Sequence, residues 1–169
     1  MRIPNATVPT KNATAIVRPS FMSHGTLESR NLKETRRFFE EVLGLECVRH
    51  SKSSMAVRCG MKFHIVCVEV GETVKPQSSQ HHWGLDVDSR EEVDAARQKV
   101  VELKEHYRIR QILDSETRHG VYSFYIEDQD YNWWEIQYYD GVQHDDMFDF
   151  GDRFGDADSD LHGDLGGNR

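Results

Sequence analysis

Glu135 and the histidines upstream of it are the residues of this chain whose types and spacing could do chemistry. Glu135 lies in the stretch Tyr122-Ser123-Phe124-Tyr125-Ile126-Glu127-Asp128-Gln129-Asp130-Tyr131-Asn132-Trp133-Trp134-Glu135, between two tryptophans and Ile136. A carboxylate in such apolar company needs a partner, because burying an unpaired charge is costly. Two histidines recur in a shared pattern: His24-x-x-Leu27-Glu28 returns 58 positions later as His82-x-x-Leu85-Asp86. Side chains alternate between the faces of a strand. His24, Thr26 and Glu28 therefore share one face; so do His82, Gly84 and Asp86, and so do Trp133, Glu135 and Gln137. The opposite rows (Leu27; Trp83, Leu85, Val87; Trp134, Ile136, Tyr138) are apolar and should pack on helices. Two imidazoles and one carboxylate delivered to one place form the ligand set of a non-haem Fe(II) centre with open coordination positions.

The elements that must hold these residues come in two similar sets. A strand over 21–29 leads to a helix opened by Asn31, with Glu34 in the manner of a capping box and Gly44 as the stop. Leu32, Thr35, Phe39, Val42 and Leu43 recur at helical spacing. Strands follow over 46–50, 55–59 and 62–70, and 71–80 reads as a linker rich in Gly, Pro and Ser. The order then restarts: a strand at 82–86, a helix capped by Ser89 with Glu92 and lined by Val93, Ala96, Val100 and Leu103, then strands over 107–113, 119–126 and 132–139. The repeat predicts an α+β fold of two βαβββ modules, 21–71 and 80–140, forming one domain over 21–140. Their curved mixed sheets make a cup around the metal, with helices outside. Residues 1–20 read as an extended or disordered arm and 141–169 as a disordered acidic tail, though Phe148, Phe150 and Phe154 could dock.

Composition narrows the partners. The formal charge of −8 is concentrated at the end: residues 144–169 hold eight Asp and two Arg, a net of −6, leaving −2 for the rest. No basic stripe suggests nucleic acid, no apolar run of about 18 residues suggests a membrane span, and the N-terminus lacks a signal peptide's apolar block. Cys47, Cys59 and Cys67, an odd set without a C-x-x-C pair, fit a reducing cytoplasm better than a disulfide framework.

Four segments together carry a resemblance to a known family: Ser23-His24-Gly25-Thr26-Leu27, the helix end Phe38-Phe39 to Val42-Leu43-Gly44-Leu45, His82-Trp83-Gly84-Leu85-Asp86-Val87, and the 122–135 stretch. Over about residues 22–140 the chain resembles the vicinal oxygen chelate superfamily of glyoxalases, bleomycin and fosfomycin resistance proteins and type I extradiol dioxygenases. The resemblance implies paired βαβββ modules and a divalent metal held by His24, His82 and Glu135, with His82 preferred over His81. It also implies catalytic roles for His64, as an acid/base, and for His119 and Tyr125, as partners of substrate oxygens; Tyr125 stands ten residues before Glu135. One departure is Tyr131, where many members have glycine before the last strand, which suggests a different turn.

On this reading the chain is an Fe(II)-dependent extradiol-type dioxygenase that opens a catechol-like diol with O₂, in a homodimer or higher oligomer. The cup is completed within one chain or across the dimer. The alternatives are a glyoxalase- or isomerase-type enzyme using Mn, Ni or Zn, with His64 as ligand or base, and a non-catalytic binder of the bleomycin-resistance type.

Overall fold

The structure is a computed structural model; it describes residues 16–17, 22–60, 63–118 and 120–139. The expected N-terminal arm (apart from Ile16 and Val17), the acidic tail with its three phenylalanines, and His119 lie outside the described residues. The chain divides into two compact units. One runs to Pro76 and also includes Asp130–Asn132; the other comprises Gln77–Gln129 and the chain from Trp133 onward.

The first unit contains β1 (His24–Ser29), α1 (Leu32–Glu41), β2 (Glu46–Arg49), β3 (Ser54–Arg58) and β4 (His64–Glu69). Its sheet has the order β1-β4-β3-β2, with β1 parallel to β4 and the other pairs antiparallel. Asn31 caps α1, its side-chain oxygen accepting from the backbone N–H of Lys33 at 3.0 Å and of Glu34 at 3.2 Å. The next orphan donor, Leu32 N–H, is taken by Glu69 from β4 at 2.7 Å, so one cap is shared between helix and sheet. Gly44, at φ 68°, stops the helix as expected, and Leu45 N–H returns to the carbonyl of Phe39 at 2.9 Å; this left-handed reversal favours glycine. Period-two alternation then separates the faces. Cys47, Met55, Val57, Ile65 and Cys67 are buried with Leu32, Phe38, Phe39 and Leu45 of the helix layer. Burial pushes the Cys47 thiol up to about 12, so this cysteine is a core residue rather than a reactive one.

Three residues far along the chain complete this unit. Asp130 accepts from Arg30 N–H at 2.9 Å and from the Thr35 hydroxyl at 2.5 Å. Ser29 Oγ lies 2.6 Å from Thr35 Oγ1, and the Asn132 amide donates to the Glu28 carbonyl at 3.2 Å. Between them Tyr131 has φ 66°, with the Arg30 guanidinium 4.7 Å over its ring. In this turn the tyrosine takes up the positive φ that glycine favours. The strain, of order 1–2 kcal/mol, is opposed by the stacked cation, worth about 0.5–1 kcal/mol at a partly exposed site.

The second unit contains β5 (His82–Asp86), α2 (Arg90–Glu102), β6 (Gln111–Ile112), β7 (Glu116–Arg118), β8 (Val121–Glu127) and β9 (Trp133–Tyr139). The sheet order is β5-β9-β8-β6, with β7 also paired to β8; β5 and β9 are parallel. Trp134 and Ile136 of β9, Phe124 and Ile126 of β8, and Val93 and Val100 of α2 form its core. The expected strand over 107–113 shrinks to two residues, because 103–108 closes in tight turns and Arg108 takes φ 54°. The helix ends at Glu102, which leaves Leu103 40% exposed rather than in the core. An additional short strand, β7, has no apolar period and every residue exposed, so no burial pattern marks it. Both units otherwise give the strand-helix-strands order, and the two mixed sheets are those of a βαβββ modular fold.

Ser89 Oγ accepts from Glu92 N–H at 3.2 Å, while Glu92 returns to Asp88 N–H at 2.7 Å. Ser89→Ala removes one partner of the first turn and should cost about 1 kcal/mol, read as a lower urea midpoint at unchanged m-value.

Candidate functional site

In the second unit, register brings the chemistry-bearing residues together. β5 and β9 pair His82 with Trp133, Gly84 with Glu135 and Asp86 with Gln137; β8 and β9 pair Tyr125 with Glu135 and Ser123 with Gln137. His82, Glu135 and Tyr125 thus fall on one face, as strand parity predicts. Glu135 is 9% exposed. His82 Nε2 lies 3.2 Å from Glu135 Oε2, and His82 Nδ1 lies 2.7 Å from the Ser79 carbonyl oxygen. A carbonyl only accepts, so Nδ1 carries a proton and donates it. In the neutral imidazole Nε2 is then bare and faces a carboxylate oxygen, lone pair to lone pair. That arrangement calls for positive charge between the two atoms, either the second imidazole proton or a metal ion. It is also the tautomer in which a backbone carbonyl fixes one nitrogen of a metal-ligating histidine and leaves the other to bind.

Tyr125 stands across from Glu135 and donates its hydroxyl hydrogen bond to that carboxylate; burial first, and then Glu135, push its phenol above the usual range. Its ring meets the His82 imidazole edge-on, with centroids 5.0 Å apart and an interplanar angle of 87°. Gly84 leaves room on the same face: a Cβ there would come no nearer than 3.9 Å to the Gln137 amide. Gln137 donates to Asp86 at 2.5 Å, so Asp86 is tied to its neighbour strand. Trp133 donates its indole N–H to the Gln77 carbonyl at 3.1 Å.

In the first unit, the parallel pairing of β1 and β4 sets His24 directly beside His64. Their rings stack, with centroids 5.7 Å apart and 22° between planes. His24 Nδ1 lies 2.9 Å from Ser23 Oγ. A cavity of about 260 Å³ on the sheet face away from α1 is lined by Glu46, Val48, Ala56, Val57, Arg58 and His64. Arg58 and Glu46 pair across its edge at 2.6 and 3.0 Å, and Val48 is 54% exposed. Sequence reasoning placed His64 on the ligand-bearing face but missed the ring stacking, which follows from register in a parallel pair and has no local signal.

Among the described residues no three or more His, Cys, Asp or Glu side chains form a cluster that could hold a metal ion; His82 pairs with Glu135 in one unit, and His24 with His64 in the other. The donor chemistry of the pairs still fits a divalent cation: imidazole nitrogens and a carboxylate suit first-row ions from Mn to Zn. His82 Nε2 facing the Glu135 carboxylate at 3.2 Å is the strongest indication.

The model of the Glyoxalase/Bleomycin resistance protein/Dioxygenase superfamily matches residues 22–136, and the chain belongs to that superfamily. Among solved structures, it is similar to the fosfomycin resistance protein FosX from Listeria monocytogenes (21% identity, TM-score 0.60, covering 76% of this chain and 99% of that one). It is also similar to lactoylglutathione lyase from Agrobacterium tumefaciens (21% identity, TM-score 0.52, 71% and 94%). A third likeness is to an integron cassette protein from V. Cholerae (21% identity, TM-score 0.53, 74% and 99%). No curated protein matches the chain. At these identities the solved structures speak for the fold. Superfamily members are mostly enzymes that bind divalent metals and small-molecule substrates. Among the described residues no helix is long and apolar enough to cross a membrane.

Proposed function

We propose that the protein is a divalent-metal enzyme acting on a small molecule through two adjacent oxygens, with His82, Glu135 and His24 as the metal ligands. The observation that carries this is His82 Nε2 held 3.2 Å from Glu135 Oε2 while Nδ1 is committed to the Ser79 carbonyl. Bound there, the ion would supply Lewis acidity to both substrate oxygens and, as Fe(II), reactivity towards O₂. The chain's own residues do the rest. His64, at the edge of the cavity beside Val48 and Ala56, takes up or returns a proton of a substrate hydroxyl as a general acid–base. The apolar floor of that cavity accepts the substrate's carbon skeleton.

Two reactions fit. In the first, the ion is Fe(II), the substrate a catechol-like diol, and O₂ opens the ring beside the diol; His119 would add a further hydrogen bond. In the second, a redox-inert Mn, Ni or Zn ion serves a glyoxalase- or fosfomycin-resistance-type reaction. The stacking of His64 on His24 favours the second, because it offers another imidazole next to a ligand. One experiment separates them: anaerobic reconstitution with each ion, followed by O₂ uptake on a diol panel and turnover of 2-oxoaldehyde adducts and epoxides. Uptake only with Fe(II) selects the dioxygenase; oxygen-independent turnover with Mn, Ni or Zn selects the other. A protein that binds no metal would leave only a sequestering role.

A further inference from the structure

Tyr125 differs from the role expected of a substrate-facing phenol. Its hydroxyl is engaged with Glu135 and its ring abuts His82, so both ligands that this unit contributes touch one side chain. Register enforces this: Tyr125 is the direct cross-strand neighbour of Glu135, and Glu135 is in turn the neighbour of Gly84, two residues after His82. Three adjacent strands therefore converge on one brace, with Gly84 contributing no side chain to crowd it. His82 is held from the other end by the Ser79 carbonyl. The pair is restrained at both nitrogens' sides and at the carboxylate before any ion arrives.

We infer that Tyr125 is a positioning residue that preorganises His82 and Glu135 for metal capture, rather than a proton donor to the substrate. This rests on the metal reading above. A glutamate side chain free to sample its rotamers must be ordered when it coordinates; the phenol hydroxyl orders it in advance. Groups that orient ligands in this way typically set metal affinity over a 10–100-fold range. The hydroxyl and the ring are separable. Tyr125→Phe keeps the edge-on contact with His82 and removes only the hydrogen bond; Tyr125→Leu removes both.

The test uses the full chain with two measurements. In the metal-free protein, NMR of uniformly ¹⁵N-labelled protein follows the His82 imidazole. Tyr125→Phe should broaden or shift its signals while far-UV circular dichroism stays the same; unchanged signals overturn the brace. In the loaded protein, calorimetric titration with Mn(II) or Zn(II) should show about 10-fold weaker binding for Tyr125→Phe and weaker still for Tyr125→Leu. Wild-type affinity in both variants, with turnover lost at saturating metal, would restore the proton-donor role and overturn the inference. Failure of the wild type itself to bind metal would count against the metal reading, and the metal-free NMR result would still decide whether Tyr125 braces the pair.

Discussion

Replacing Glu135 by Gln should abolish metal binding and leave the folded chain at least as stable as before. With the ring neutral, the carboxylate and the imidazole of His82 present two acceptors to each other at 3.2 Å, because Nδ1 donates to the Ser79 carbonyl. A glutamine of the same length can turn its NH₂ towards Nε2 and donate to it, which closes the gap without an ion. The gain is that of one satisfied hydrogen bond, about 0.5–1.5 kcal/mol. The loss falls on the metal: the amide carries no charge, and its donor now points where the cation would sit. Affinity for Mn(II) or Zn(II) should fall at least about 100-fold, beyond the range usual for residues that only orient ligands. Calorimetry and a thermal melt on one preparation read both effects. A variant that binds metal normally, or one that melts well below the parent, would show that Glu135 is a structural carboxylate rather than a ligand.

Asp130→Ala should give the largest stability loss among the polar substitutions considered. Asp130 is 1% exposed and serves Arg30 N–H and the Thr35 hydroxyl, which also touches Ser29. Alanine leaves the part-buried Arg30 N–H without its acceptor, while the Thr35 hydroxyl can still donate to the Asn31 carbonyl at 3.0 Å, at a cost of about 1–3 kcal/mol. Asp130→Asn keeps an acceptor for Arg30 and should cost less. The two variants also differ in pH response. Burial raises the Asp130 carboxyl above its usual range, and the hydrogen bonds from Thr35 and Arg30 oppose this only in part. A group raised on folding contributes stability that is complete below its unfolded value and lost as pH rises through its folded value. Wild type should therefore give up part of its stability between about pH 4 and the raised value, and Asp130→Asn should be flatter across that window. Urea melts at three pH values measure this; parallel curves for wild type and Asp130→Asn would refute it.

Much of the fold was legible because burial imposes periods. The 3.6-residue spacing of Leu32, Thr35 and Phe39 and the β-branched run over 62–70 located the first unit, and Asn31, Gly44 and Ser89 marked the helix ends where they fall. The sequence was silent where no period operates. β7 has nothing to bury, and the 103–108 turns ended a helix whose apolar spacing ran on to Leu103. The ligand-bearing faces of His82 and Glu135 followed from strand parity, and Tyr125 was named through the family resemblance. The partners of those side chains did not follow from either: which residue stands opposite Glu135 is set by register across strands, and what occupies His82 Nδ1 is set by the turn three residues before it. Tyr131 shows the same limit in the backbone, where a non-glycine residue holds a left-handed turn through Arg30, one hundred and one positions before it.

The three residues Asp130–Asn132 bear on how such a chain could have arisen by duplication. They belong to the first compact unit, although the residues on either side of them belong to the second. A fragment ending at Pro76 would carry its helix and four strands but would lack the acceptor for Arg30 N–H and the donor for the Glu28 carbonyl. A lone ancestral half would have had to borrow that loop from a sister copy, so the half-length polypeptide would be expected to self-associate.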